Sequence, residues 1–576
     1  MTLASTEQSA SVQSPRTGDE RPEEPDPRQD AAAAEAEAAA PTDPPGTGGV
    51  PGIIRRRLAP FDARLDRWSW VATGVVVLIA ALLRLSKLGQ PKGKIFDEIY
   101  YARDGWALVD RGVEWNYRDD TAAYVVHPPL GKWLIGLGEW AFGYADAEHQ
   151  IKVPGHLVTL SPEVGWRISA ALFGILSVLI LVRVARRLFG STMLGCTAGL
   201  LMAFDGFHLV LSRTALLDIF LLFFVLAAFG ALVVDRDARR RRWLRAMEAG
   251  LDPGRPGRAG RPQFTLRDGV PWWRLLAAAL LGCAIGVKWS ALAFVPVFVL
   301  LVYWWEIGAR RSAGVRHPWR DALLDETGWV LACAGLVVVV YLATWSGWFL
   351  TDDGYFRDYL SKQGVHQPPF IEALWNLGHY HAQAFGFHRG LDTAHTYQSW
   401  PWQWLLLGRP VAFHWSGDGP CGAASCASEV LLLGTPILWW SFLPALAATV
   451  WLGIARRDWR AGTVLVMVGA ALLPWFWFAA VDGRTMFSFY TAPALPFLIL
   501  AVVYVLGAMM SPAPTYAGAG ETTILGFDRR SAGALIAGAY VLVVALCFAY
   551  FYPIFVGEAI PHSDWSARMW LGGRWI

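Results

Sequence analysis

Charge is scarce in this sequence. Charged residues make up 17% of the 576 residues, against roughly 25% in an average soluble protein. Hydrophobic residues reach 54%, and they come in long blocks rather than in short alternations. The scarcity of charge excludes an ordinary soluble domain, and the long apolar blocks predict an all-α protein that crosses a membrane many times.

Cysteine is scarce as well, with six in the chain. No CxxC pair or other metal-ligand spacing occurs, which argues against a zinc module. Four cysteines fall inside apolar blocks and act there as small hydrophobic residues: Cys196, Cys283, Cys333 and Cys547. Cys421 and Cys426 share the polar loop "GDGPCGAASCASE", and we expect a disulfide between them because this loop is predicted below to be external.

The first 50 residues lack an apolar block. They include "RPEEPDPRQDAAAAEAEAAAPTDPPGTGG", which cannot bury enough apolar surface to offset the chain entropy that folding removes. No apolar core follows Met1 closely, so a signal peptide is not predicted. The expected organisation is a disordered cytoplasmic tail at 1–50 followed by one transmembrane domain at 51–576.

About eleven apolar segments are predicted to be membrane spans. They cover roughly residues 70–85, 168–181, 193–204, 216–234, 272–287, 291–305, 329–345, 430–455, 463–480, 489–509 and 532–552. Arginine clusters lie at 55–57, 183–187, 236–242, 310–320, 456–460 and 529–530. If the spans alternate, all the clusters share one side, which is then the cytoplasm. The N-terminus is therefore expected inside and the C-terminus outside.

Two long loops then lie outside the cytoplasm, at residues 86–166 and 347–429. The inside loops are basic and are explained as topology signals. The outside loops and turns instead carry polar residues of varied chemistry. We therefore expect any functional site at the outer face of the membrane.

Two adjacent carboxylates follow the first span in "KIFDEIYYARDGW", which places Asp97 and Glu98 beside several aromatic residues. Neighbours on a helix point about 100° apart, so at most one of the two faces a given cavity. One carboxylate could act as a general base near a low-dielectric surface. The alternative is a solvated pair at the membrane edge with no catalytic role.

Basic and ionisable residues recur at other predicted outer positions. They are His127, Lys132, Arg213, Asp218, Lys288 and Arg484. The first two flank the start of an amphipathic helix predicted in the stretch "HPPLGKWLIGLGEWAFG". Arginine can grip a phosphate with two hydrogen bonds, although any single basic side chain could simply extend to the surface. Several cations on one face favour an anionic headgroup as ligand.

Four histidines lie close together in the second long loop. They are His379, His381, His388 and His395. A zinc site is one interpretation. Packing of these rings with aromatic residues at a membrane surface, or against a sugar, is the favoured one.

Six stretches together resemble one known family, the protein O-mannosyltransferases. In order they are "FDEIYYARDGW", "HPPLGKWLI", "LSRTALLD", "GVKWSAL", "HTYQSWPWQW" and "GRTMFSFYTAP". The chain is most similar to the bacterial, actinobacterial-type members, and the resemblance covers roughly residues 68–553. Each stretch alone is weak, but six in order, each on the predicted outer side, are specific.

The resemblance implies a GT-C glycosyltransferase fold with about eleven spans in the plasma membrane. It implies a polyprenyl-phosphate-mannose donor, surrounding membrane lipid, and Ser or Thr acceptors on exported proteins. It implies an inverting single displacement at the extracytoplasmic side, with no cofactor, no metal and no nucleic-acid partner. The secretion machinery is left open as a partner.

The resemblance also suggests residue roles. It assigns catalysis to Asp97 and Glu98, with Asp97 as the base and Glu98 holding the first loop in place. The residues expected at the donor phosphate are Arg213, Lys288, Arg484 and Lys132. The residues expected to bind substrate are His127, Asp218, His395 and Tyr397.

The sequence departs from the family pattern in one respect, and two alternative functions remain. Eukaryotic members carry a β-trefoil module in the second long loop, and about eighty residues are too few for it, so acceptor selection by that module is not expected here. Another GT-C enzyme with a different sugar or acceptor is the first alternative. A secondary transporter is the second, although its polar residues would lie near the membrane midplane and internal repeats would be expected.

Overall fold

The structure is a computed structural model. It describes residues 50–61, 66–255, 269–417, 419–510, 523–524 and 527–575. The tail predicted at 1–50 lies outside the described residues except for Val50.

Helices dominate the described chain. Those of the first half are α1 (Gly52–Leu58), α2 (Arg67–Leu85), α3 (Glu98–Arg111), α4 (Leu130–Phe142), α5 (Pro162–Phe189), α6 (Thr192–Ala203), α7 (Gly206–Arg213), α8 (Leu217–Glu248) and α9 (Trp272–Val287). Those of the second half are α10 (Phe294–Ala313), α11 (Pro318–Thr344), α12 (Ser346–Leu350), α13 (Tyr359–Lys362), α14 (Pro369–Arg389), α15 (Pro401–Trp404), α16 (Pro436–Arg456), α17 (Trp459–Val481), α18 (Leu495–Met509), α19 (Arg529–Val556) and α20 (His562–Arg568). Short 3₁₀ helices precede α10 and α18, at Trp289–Ala293 and Ser488–Ala494.

The strands are short and all pair antiparallel. They are β1 (Trp115–Asn116), β2 (Thr121–Ala122), β3 (Gly143–Asp146), β4 (Ile151–Pro154), β5 (Val411–Ser416), β6 (Cys426–Leu432), β7 (Thr523–Ile524), β8 (Phe527–Asp528) and β9 (Ile560–Pro561). Three of them form one sheet in the order β5–β6–β9, and the others form two-stranded hairpins.

Every predicted span overlaps a helix, although the eighth begins in a strand. Among the described residues, nine helices are long and apolar enough to cross a membrane. The pair α6 and α7 passes the same test together and is bent by 64°. Helix α9 is apolar but only 16 residues long. This architecture is that of an all-α polytopic membrane protein.

The eighth span begins later than expected. The apolar run starting at Val430 was predicted to open a helix, but Cys426–Leu432 is strand β6, paired with β5 and β9. The helix α16 begins only at Pro436. A short apolar run fits a buried strand as well as a helix, and here long-range pairing decides. In the second long loop, the described residues form α12–α15 and this sheet.

The first long loop folds tightly against the bundle. Helices α3 and α4 cross at Gly105 and Gly136, where a Cβ added to Gly136 would collide with the carbonyl oxygen of Gly105. Only glycine permits so close an approach of two helix backbones. The predicted amphipathic helix is α4. Its small residues face the bundle while Leu137 stays 53% exposed.

The arginine clusters meet at one end of the bundle, which we call the arginine end. Arg187 pairs with Asp237 at 2.7 Å, and Arg240 donates to the carbonyl oxygen of Arg57. A buried ion network joins α8, α9, α10 and α11 at the same end. Its members are Asp235, Arg239, Arg274, Glu306, Arg310, Asp325 and Glu326. Which side of the membrane this end faces stays a prediction.

Candidate active site

A cavity of about 320 Å³ lies at the opposite end of the bundle, which we call the site end. Its polar and aromatic lining consists of His127, Asp218, Lys288, Trp289, Ser290, His388, Arg389, Arg484, Trp475 and Tyr490. Its apolar lining includes Leu221, Leu292, Phe294, Phe385, Pro474 and Phe478. A group of cations therefore sits beside an apolar wall, as an anionic headgroup on a hydrocarbon chain would require.

Lys288 lies at the end of α9, where the chain leaves the helix in an extended conformation. Its Nζ is 2.7 Å from Oδ2 of Asp218, near the start of α8. The same Nζ is 5.5 Å from the centre of the Phe489 ring and 6.0 Å from that of Tyr490. The ammonium is thus held by one carboxylate and by ring faces, and it still lines the cavity.

Asp97 precedes α3 and is half-buried. Burial raises the pKa of its carboxyl to about 6, while Lys288 acts to lower that pKa and Asp218 acts to raise it. Asp97 is therefore within electrostatic reach of the Lys288–Asp218 pair. At neutral pH it is mainly the carboxylate, with a basicity greater than that of an exposed aspartate.

The backbone that presents Asp97 is unusual. Phe96 has φ +47°, a conformation that residues other than glycine rarely adopt. Its ring stacks on Phe413 of β5 at 4.4 Å and lies 6.0 Å from Phe489. Contacts with two separate segments therefore hold this strained residue in place next to the candidate base.

Glu98 is fully buried, and both of its carboxylate oxygens have hydrogen-bond donors. Its Oε1 and Oε2 each accept a hydrogen bond of 2.8 Å from the guanidinium of Arg167. They also accept from the backbone N–H groups of Ile95 and Ala215. Arg167 in turn donates to carbonyl oxygens of the first loop, including that of Pro91. The structure thus gives Glu98 an arginine partner, and through it contacts that hold the first loop.

His127 and His388 form a pair inside the cavity, with ring centres 5.2 Å apart. His388 Nε2 donates to the carbonyl oxygen of Val126 at 3.0 Å, which leaves Nδ1 as the acceptor for Arg484 Nη2 at 3.4 Å. Burial lowers the pKa of His388 to about 4, and it lowers the pKa of His127 well below its usual value. Both rings are neutral near pH 7, and His388 orients Arg484.

Lys132 does not serve as a phosphate ligand in this structure. It is buried, with Nζ 2.5 Å from Oε1 of Glu114 and 3.0 Å from the carbonyl oxygen of His127. Its charge is already neutralised, so the expected contact with the donor is corrected to a structural one. Lys132 instead fixes the backbone of His127, which does reach the cavity.

Arg213 also differs from its prediction. Its guanidinium donates to four backbone carbonyls at the end of α2. The acceptors are Leu83, Arg84, Ser86 and Lys87. The last carbonyls of a helix have no partner within the helix, and an arginine can satisfy several of them at once. Arg213 is therefore a helix cap beside the site, and it does not line the cavity.

His395 and Tyr397 lie outside the cavity lining, in a loop tied to the cavity segment. The backbone N–H of Ser399 donates to Met486 O, which keeps this loop beside Phe487. The ring of His395 is 5.1 Å from that of Phe487. His395 is exposed, so these residues flank the approach to the cavity rather than its interior.

The four histidines of the second loop do not form one metal site. His379 stacks on Tyr359 at 3.6 Å, and His381 accepts from the hydroxyl of Tyr341 at 2.5 Å. His388 contacts Arg484, and His395 lies near Phe487. The zinc interpretation is therefore not supported. The interpretation of packing with aromatic residues agrees with these contacts.

Some lining residues were not among the candidates from the sequence. They are Trp289, Ser290, Arg389, Trp475 and Tyr490. Arg389 ends α14, and its placement depends on how that helix packs. Trp289 directly follows Lys288, so the stretch "GVKWS" carried a usable signal for it.

Cys421 and Cys426 are joined by a disulfide between β5 and β6, with Cα atoms 5.9 Å apart. The free cysteines are those in the apolar helices, Cys196, Cys283, Cys333 and Cys547.

Comparison with known proteins gives a consistent result. The family model for "Dolichyl-phosphate-mannose-protein mannosyltransferase" matches residues 74–252. A second model, the "C-terminal four TMM region of protein-O-mannosyltransferase", matches residues 373–575. A Mycolicibacterium smegmatis protein named polyprenol-phosphate-mannose–protein mannosyltransferase is 38% identical over 88% of this chain and 93% of its own length. The Mycobacterium tuberculosis protein of the same name is also 38% identical, over 88% of this chain and 92% of its own.

Among solved structures, a chain of the Saccharomyces cerevisiae protein O-mannosyltransferase Pmt1-Pmt2 complex bound to the sugar donor is similar in fold. Its TM-score is 0.63 with 14% sequence identity, over 92% of this chain and 95% of that chain. This likeness shows the GT-C fold. Together with relatives 38% identical over nearly their full length, it means that the chain belongs to the protein O-mannosyltransferase family.

Proposed function

We propose that the protein transfers mannose from polyprenyl-phosphate-mannose to Ser and Thr hydroxyls of exported proteins, at the outer face of the plasma membrane. One observation supports the proposal: the carboxylate of Asp97 is within electrostatic reach of Lys288. Lys288 lines a cavity that has both cations and an apolar wall. The names of the similar mycobacterial proteins support the choice of donor and acceptor.

The donor would enter the cavity with its phosphate among the cations. Lys288 and Arg484 supply positive charge, and Arg389 adds a third cation at the rim. The apolar residues between α10 and α17 would contact the start of the polyprenyl chain, since Leu292 and Phe478 face the cavity there. Such cations stabilise the negative charge that develops on the departing phosphate.

The chemistry needs a base rather than an acid. A phosphate is already a good leaving group, so no proton has to be donated to it. The acceptor hydroxyl oxygen bonds to the anomeric carbon, the bond from that carbon to the phosphate oxygen breaks, and the hydroxyl proton passes to Asp97. The products are the O-mannosylated protein and polyprenyl phosphate, and a single displacement inverts the configuration at the anomeric carbon.

Other residues position this step. Glu98 and Arg167 hold the loop that carries Asp97. Asp218 accepts a hydrogen bond from Lys288 and would thereby orient its ammonium toward the phosphate. His127 stays neutral, so its ring can exchange hydrogen bonds with sugar hydroxyls without adding charge. His395 and Tyr397 would lie along the path of the acceptor.

The orientation and the external partners are part of the same proposal. The site end lies opposite the arginine end, and arginine-rich ends usually face the cytoplasm. That rule supports an extracytoplasmic site in the plasma membrane. Contact with the secretion machinery would bring unfolded Ser- and Thr-containing segments to this face, and the proposal assigns no surface to it.

The test is transfer of labelled mannose from polyprenyl-phosphate-mannose to a Ser/Thr-rich peptide by the full chain in membrane vesicles. The Asp97→Asn chain, present at equal amount, is the matched control. Transfer by the unaltered chain alone is the expected result. Labelling of lipid rather than peptide, or activity only with a different polyprenyl-linked sugar, would favour another GT-C activity and overturn the proposal.

A further inference from the structure

Helix α14 has three distinct sides. At 100° per residue, one side is buried against the rest of the protein and consists of Ala373, Leu377, Tyr380 and Ala384. A second side is polar and consists of Glu372, His379 and Gln383. The third side is apolar and unpartnered, and we call it the α14 stripe: Phe370, Ile371, Leu374, Trp375, Gly378, Ala382 and Phe385.

The α14 stripe is strongly exposed. Phe370 is 71% exposed, Trp375 is 64% exposed and Ile371 is 53% exposed. Helix α14 has 21 residues and is therefore about 31 Å long. Contiguous apolar surface of this kind usually marks a membrane or protein contact. The position of α14 in the protein indicates which of the two covers the stripe.

The middle of α14 is attached to the site end of the membrane helix α11. Trp289 Nε1 donates to the hydroxyl of Tyr341 at 3.0 Å, and that hydroxyl donates to Nε2 of His381. Trp345, directly after α11, packs against Tyr380 with ring centres 5.3 Å apart. The depth of α14 is therefore that of the end of a membrane span, where hydrocarbon meets headgroups.

The surfaces on either side of this attachment face lipid. Only 6% of the most apolar stretch of α11 is buried inside the protein, and Val338 and Val339 near its site end are 56% and 62% exposed. At the other end of the stripe, Phe385 lines the cavity beside Leu292 and Phe478 of the membrane domain. The α14 stripe thus continues an apolar surface that the spans already present to the bilayer.

We propose that α14 lies in the membrane interface at the site end, with the α14 stripe inserted among the acyl chains of that leaflet. Its polar side then faces water and its buried side packs against the protein, as in other interfacial amphipathic helices. The surface takes lipid acyl chains, rather than another protein or a second copy of this chain. It also places Phe385, at the cavity mouth, directly against the hydrocarbon from which a lipid substrate would enter.

The experiment measures the accessibility of spin labels on the full chain reconstituted in phosphatidylethanolamine–phosphatidylglycerol vesicles. Labels are attached at Ile371→Cys and Trp375→Cys on the stripe, and at Gln383→Cys and Lys362→Cys as aqueous controls. Both stripe side chains are exposed, so their replacement opens no core. The unaltered chain, treated with the same reagent, gives the background from its free cysteines.

Oxygen concentrates in hydrocarbon and a nickel chelate in water, so their relative broadening of the label signal reports its surroundings. The stripe labels should be broadened more by oxygen than by the chelate, and the control labels more by the chelate. Stronger broadening by the chelate at both stripe positions would mean a solvated helix and overturn the proposal. Low accessibility to both agents would mean a protein partner or a second copy, and would overturn it equally.

Discussion

Buried charges occur at both ends of the bundle, but they are used differently. At the arginine end, Glu326 accepts from Arg239, Arg274 and Arg310, so the buried charges there pair with one another. At the site end, Lys288 has one carboxylate partner and also faces a cavity. Charges that pair with one another several times over stabilise the packing of helices, whereas a cation with one partner at a cavity is available to a ligand. The difference separates charges that stabilise the fold from charges that can serve a reaction.

Within the site end the same distinction separates neighbours. Glu98 uses both oxygens on Arg167 and on backbone N–H groups, while Asp97 lies half-buried near a lysine. Arg213 is committed to helix carbonyls. Arg484 has a long hydrogen bond with His388, lies 5.9 Å from the centre of the Tyr490 ring, and has a buried Nε without a hydrogen-bond partner among the described residues. Adjacent residues, and residues of the same type, thus have different surroundings.

The largest expected effect is at Asp97. Asp97→Asn keeps the size of the side chain but cannot accept the proton, and general-base catalysis is worth roughly 10²–10⁴-fold. We expect turnover to fall by that factor while donor affinity is retained, measured as transfer rate beside donor binding. Glu98→Gln is the comparison, and it should lower thermal stability as well as rate. Full-rate transfer by Asp97→Asn would remove the residue from catalysis.

The next effect tests the ion network of the arginine end. Glu326→Gln leaves three buried arginines short of one negative charge, and breaking a buried pair in this way costs about 3–5 kcal/mol. The midpoint of thermal unfolding in detergent should fall clearly, while transfer per folded molecule stays unchanged. Asp325→Asn, at the less buried edge of the network, should cost less. Loss of transfer at normal stability would contradict a purely structural role.

A smaller effect compares the two arginines of the site end. Arg484→Lys removes the planar fork, and we expect a rise in the donor KM of roughly tenfold, the size of one charged hydrogen bond. Arg213→Lys should lower thermal stability, because one ammonium cannot satisfy four carbonyls, and should leave the donor KM of the folded protein unchanged. The reverse pattern would restore Arg213 as the phosphate ligand.

The smallest effect is a shift in pH dependence. Because burial raises the pKa of Asp97 to about 6, the base is protonated and inactive below that pH, and transfer should fall as pH drops through 6. Lys288 holds this pKa down, so Lys288→Gln should move the acid limb to higher pH. His388 titrates near pH 4 and does not produce the limb.

Asp104 is the control for this assignment, because burial raises its pKa to about 6 as well. Asp104→Asn should keep the acid limb, since the residue is not placed at the cavity. The transfer rate is measured from pH 5 to 8 for the unaltered chain, Lys288→Gln and Asp104→Asn. This range extends about one pH unit below and two above that pKa. Loss of the acid limb in Asp104→Asn would mean that Asp104, and not Asp97, is the group that titrates.

Much of the fold could be predicted from the sequence, because apolar length and arginine position are local signals. All the predicted spans overlap helices, and the amphipathic helix α4 was expected. Strand β6 was not, because its pairing with β9 joins residues far apart in the chain.

The candidate site could be predicted from the sequence to a similar extent. Asp97, Lys288 and Arg484 were expected at one face. Lys288 and Arg484 line the same cavity, and Lys288 acts on the pKa of Asp97. The partners were not predictable. Glu114 neutralises Lys132, and the end of α2 occupies Arg213. Partner choice depends on tertiary packing, which single-sequence patterns do not record.

The short helix α9 has a consequence for the bilayer itself. Its 16 residues span about 24 Å, whereas the hydrocarbon core is about 30 Å thick. Lys288 follows its last residue and therefore sits below the level that a full-length span would reach. Under the proposed function, the donor phosphate would meet this lysine where the bilayer is locally thin. Membrane thickness is thereby a variable of the reaction, and lengthening the acyl chains of the surrounding lipid should slow transfer without altering any residue of the site.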